Sequence, residues 1–80
     1  MRVTPQVISV LRGAARASAA GELQKKAGLK DRVHFLKAYL EPLLAAQWIE
    51  RTIPDKPRSR MQKYRLTDKG RAVLKKIEEE

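Results

Sequence analysis

Side chains able to do covalent chemistry are few and scattered. His34 is the only histidine and the chain has no cysteine. A metal site needs several ligands at workable spacing, and His34 has no such company. A nucleophile needs a base and an orienting acid. Ser9, Ser18 and Ser59 stand in no motif of that kind, and no glycine-rich phosphate loop is present. The reading is a non-enzymatic domain with no cofactor and no metal. The cations are different. Lys30, Arg32, His34 and Lys37 fall close together, and so do Lys56, Arg58, Arg60, Lys63 and Arg65. Lysine and arginine hold phosphates, while Lys37 and His34 can meet base edges. The alternative for the first cluster is a solvated helix face. For the second, it is a set of charges that keeps a hairpin edge from pairing with other chains.

The charge balance points the same way. The chain has 80 residues and a net charge of +9. Glu78, Glu79 and Glu80 contribute −3, so residues 1–77 carry +12. Such a field draws nucleic acid first and anionic membrane second. No apolar run approaches a membrane span or a signal peptide. Absent cysteine fits a reducing, cytoplasmic setting. The length allows one small domain with a thin core.

The elements that must position these cations follow from patterning. Thr4-Pro5 starts a helix near 4–16, with Val7, Ile8, Leu11, Ala14 and Ala15 on one stripe. Ser18 can cap a second helix near 19–27, with Glu22 in its first turn and Gly28 just past its end. Asp31 caps a third, about 32–46. There Val33, Phe35, Leu36, Tyr39, Leu40, Leu43, Leu44 and Ala46 cover an arc too broad for a surface helix. Pro42 lies inside it, so a kink or restart is expected near Tyr39–Pro42. Two period-two runs, Trp48–Ile53 and Met61–Leu66, read as strands. Between them Pro54–Arg60 reads as an extended basic loop. Thr67 caps a last helix with Gly70, Val73, Leu74 and Ile77 on one face and a fraying tail at 78–80. Residues 1–3 read as a linker remnant and 4–77 as the domain. Trp48, Tyr64, Phe35 and Tyr39 are core by position. Lys69, Arg71, Lys75 and Lys76 form a solvated face.

Two helices joined by a short glycine-containing turn are a helix-turn-helix. A basic hairpin directly after them makes a winged helix-turn-helix. The fold class is mainly α with a small antiparallel β-hairpin, in the order α-α-α-β-wing-β-α. In that arrangement the open face of the third helix meets a major groove and the wing lies on the backbone or in an adjacent groove.

Several stretches resemble one bacterial group. They are Thr4-Pro5-Gln6-Val7, Gly28-Leu29-Lys30-Asp31-Arg32 with His34-Phe35, Thr52-Ile53-Pro54-Asp55-Lys56-Pro57 with Ser59-Arg60, and Gln62-Lys63-Tyr64. Tyr64–Arg71 resembles the strand-to-helix junction of many bacterial winged helices. The narrower resemblance is to the C-terminal winged-helix domain of RecG-related proteins described as ATP-dependent DNA helicases, with a Schlafen/AlbA-like N-terminal domain. A similar domain ends some Fic-family proteins. The chain departs from that pattern at Val33, where a basic residue is common, and at Ala19–Gly21, where polar residues are. The resemblance implies a C-terminal accessory domain whose ATP-binding, helicase-like parent lies upstream. The expected partner is double-stranded DNA, with Lys30 and Arg32 on phosphates and the wing either on phosphates or with Arg58 entering a minor groove. A partner domain of the parent is also possible in such a chain, and no membrane is expected. The isolated domain is expected to be a monomer. The competing reading is a protein–protein interaction or dimerisation module without DNA binding, since fold does not fix function.

Overall fold

The computed structural model describes residues 2–79. Helix α1 (Pro5–Gly13) opens where expected, with the Thr4 hydroxyl accepting the Val7 N–H at 3.3 Å. It ends three residues earlier than the periodicity suggests, because tertiary partners take its last carbonyls. Leu66 donates its N–H to the Ala14 carbonyl at 2.9 Å. The Ser18 hydroxyl bonds the Gly13 and Arg16 carbonyls. Ser18 is therefore no cap for α2 (Ala20–Lys26). Ala19 fills that position, and the Glu22 carboxylate reaches back to its N–H at 3.3 Å. The inward stripe of α1 is Val7, Val10, Leu11 and Ala14, while Ala15 is exposed.

The end of α2 follows the sequence closely. Gly28 takes φ +72°, its N–H bonds the Lys25 carbonyl, and the Leu29 N–H bonds the Gln24 carbonyl. These two bonds close the helix end around a left-handed residue. Asp31 then accepts the His34 N–H at 3.1 Å and starts α3.

Helix α3 (residues 32–45) is one run in three parts: α-helical Arg32–Phe35, a π-helical turn Leu36–Leu40, and α-helical Glu41–Ala45. The kink expected near Pro42 takes this form. Pro42 has no N–H for the Ala38 carbonyl, and its ring crowds that carbonyl. One turn earlier the ladder widens, and the Glu41 N–H reaches back five residues to Leu36. The extra residue rotates the inward stripe. Phe35, Leu40 and Leu43 are buried at spacings of five and then three, which explains the breadth of the apolar arc. Val33 falls off it and is 60% exposed, contrary to the periodicity.

A second helix end of the α2 type closes α3, with Gln47 at φ +63° in place of glycine. Its N–H bonds Leu44 and the Trp48 N–H bonds Leu43. Strand β1 (Ile49–Arg51) follows and pairs antiparallel with β2 (Tyr64–Leu66), Glu50 opposite Arg65. Both strands are shorter than their period-two runs. The other edge of β2 is taken by Ser18, which exchanges two backbone bonds with Tyr64 at 2.8 and 2.9 Å. That bridge ties the hairpin to the α1–α2 connection, and the sequence carries no separate signal for it.

Helix α4 (Asp68–Glu79) starts on Thr67, whose hydroxyl accepts the Gly70 N–H at 2.9 Å and donates to the Gln47 carbonyl. One side chain thus joins the end of α3 to the start of α4. Fraying was expected from Glu78 on. The helix instead continues through Glu79, with Glu78 paired to Arg12 at 3.4 Å. Glu80 lies outside the described residues. The core gathers Val10, Leu11, Leu23, Phe35, Leu43 and Ile49, each fully buried, with Tyr64, Leu66 and Leu74 against them. Trp48 and Tyr39 pack at its margin.

Candidate nucleic-acid interface

Two elements carry the cations. Lys30 is exposed in the turn before α3, and on α3 Arg32, His34 and Lys37 are exposed, as are Val33, Ala38 and Glu41. The π turn shapes this face as well as the core. It brings His34 edge-on to Tyr39, five residues along, with ring centroids 5.8 Å apart. Part of the imidazole is thereby packed against the helix, while Lys37 extends freely. Glu41 sets one anion at the far end of the face.

The wing, residues 52–63, is not the extended loop that its prolines suggest. Three turns follow one another, closed by Lys56 N–H on Ile53, Ser59 N–H on Lys56 and Gln62 N–H on Ser59, at 3.0 to 3.2 Å. Gln62 folds into their centre and is only 6% exposed. Its amide oxygen accepts the Ile53 N–H at 2.9 Å, and its amide nitrogen donates to the Ile53 and Lys56 carbonyls. These bonds pull Ile53 and Gln62 out of the ladder, which is why the strands are short. Gln62 has no sequence signal for this role, since a glutamine in an alternating run reads as an ordinary strand residue.

This packing holds Lys56, Arg58, Arg60 and Lys63 outward, all exposed. Arg65 differs. Its guanidinium meets the Glu50 carboxylate at 2.7 Å across the strand pair, so its charge is already answered. The alternating pattern places Met61 on a strand. It sits in the third turn instead and is 71% exposed. Tyr64 is buried and offers no stacking surface. Among the described residues, no group of three or more His, Cys, Asp or Glu side chains could hold a metal ion. No helix there is long and apolar enough to cross a membrane.

Residues 5–67, from the first residue of α1 to the cap of α4, match the model of the family "Filamentation induced by cAMP protein Fic-like, C-terminal domain". The chain belongs to this family. A solved Fic-like relative agrees. The crystal structure of a Fic family protein from Desulfovibrio desulfuricans G20 is 42% identical and superposes with a TM-score of 0.72. The match covers 84% of the present chain and 21% of that one, so this Fic-like domain spans about a fifth of its length. No curated protein gives a significant match. The Fic-like part of the resemblance is thereby supported, and its RecG-related, Schlafen-type helicase part is not.

Proposed function

We propose that this Fic-like C-terminal domain is a double-stranded DNA-binding module, cytoplasmic and non-catalytic, serving a larger Fic-type protein. One observation carries the reading: two separate segments, residues 30–37 and the wing, hold clustered cations that are exposed, and among the described residues Arg65 alone of these is engaged by a carboxylate. Lys30 and Arg32 would hold phosphates at the start of α3. Lys37 would face base edges, and Lys56, Arg58, Arg60 and Lys63 would track the backbone under the wing. Neither a helicase activity nor ATP binding forms part of this proposal.

The test is a duplex titration by anisotropy between about 50 and about 200 mM salt. Neutralising about six phosphates predicts a slope of log K against log salt of about −5. Amide shifts should gather on residues 30–37 and 55–65. A duplex that does not bind at the lowest salt removes the reading.

A second reading, docking of a protein partner, has its own observation. Among the described residues, the outer edge of β1 meets no other strand, and it opens into a shallow groove beside Leu44, Gln47 and Pro54. Amide shifts confined to β1 on adding the rest of a Fic-type parent would favour it.

A further inference from the structure

Three large apolar side chains are exposed among the described residues: Val3, Val33 and Met61. Met61 is the most exposed of the three. It packs on no core residue and belongs to no strand. Its position is nevertheless fixed. The Ser59 hydroxyl accepts its N–H at 3.1 Å, and the next residue is the buried Gln62. Arg58 and Arg60 precede it and Lys63 follows, all exposed.

A methionine gains little from phosphates. Its unbranched, polarisable side chain suits the flat apolar faces of stacked bases. Apolar side chains, methionine among them, can enter from the minor groove and part a base step when cations hold the flanking phosphates. A loop already ordered by Gln62 does not pay for ordering at that moment. We propose that Met61 is an apolar wedge, set by the wing against a base step in the minor groove, with Arg58 and Arg60 on the adjacent phosphates. The inference rests on the duplex-binding reading and deepens it. The favoured substrate is a duplex with a flexible pyrimidine–purine step, such as TA, where unstacking is easiest.

The 80-residue chain is titrated with a duplex carrying a fluorescent adenine analogue at a central TA step and a donor–acceptor pair at its ends. At saturation the wild type should raise the analogue's fluorescence and shorten the end-to-end distance. Met61→Ala should abolish both signals while weakening binding by no more than about tenfold. Met61→Leu should restore them, and Arg58→Ala should weaken binding yet keep them at saturation. Signals that survive in Met61→Ala, or a saturated wild-type complex without them, would overturn the wedge alone. A wild-type chain that does not bind the duplex overturns the duplex reading and the wedge with it.

Discussion

A Cβ placed on Gly70 would overlap the carbonyl oxygen of Trp48, which already accepts the Thr67 N–H. That oxygen is backbone and cannot swing aside. Gly70→Ala should therefore cost about 3 kcal/mol, read from the denaturant midpoint at unchanged m. Gln47 is the opposite case. It holds φ +63° with an exposed side chain, and its backbone carbonyl takes the Thr67 hydroxyl. The left-handed region is costly for a residue with a Cβ. Gln47→Gly should stabilise the fold by about 0.5 to 1 kcal/mol, visible as a raised Tm. Gly28 already uses glycine at the equivalent place after α2.

Among the elements, the wing is the one with a buried glutamine at its centre, bonded to three of its backbone groups. Gln62→Leu keeps much of the volume but leaves the Ile53 N–H without its partner, and the Ile53 and Lys56 carbonyls with their turn bonds alone. The expected cost is about 2 to 3 kcal/mol. Hydrogen exchange should speed up at residues 53–62 while the α1 and α2 amides stay protected. Equal acceleration throughout the chain would show that Gln62 supports the whole domain and not the wing. Helix α3 offers the other element-scale lesson. Its π turn answers Pro42 and lets one helix serve two directions, with Phe35 aimed inward and Lys37 outward.

At the scale of the molecule, charge decides what the surface attracts, and pairing decides which charges take part. Arg58 and Arg65 belong to the same basic hairpin, yet among the described residues only Arg65 is met by a carboxylate. In the duplex titration Arg58→Ala should flatten the salt slope by about 1. Arg65→Ala should change the slope less, because the bond to Glu50 holds that guanidinium away from a phosphate. Equal effects from the two would mean that the Glu50 pair opens on binding.

Local chemistry determined much of this protein. Thr4, Asp31 and Thr67 begin their helices because a side-chain oxygen can answer free amides nearby in sequence. Gly28 ends one because it lacks a Cβ, and the cations on α3 and the wing stay exposed because burying them unpaired is costly. Those features rest on neighbours a few residues apart. What the tertiary structure decided rests on partners far along the chain. Tyr64 and Leu66 stop α1 and turn Ser18 into a strand partner. Core packing, through the π turn, leaves Val33 outside. Gln62 reaches back to Ile53 and turns an alternating run into a set of turns. Periodicity records the direction of each side chain but not the group it will meet, and Met61 stands in solvent for that reason.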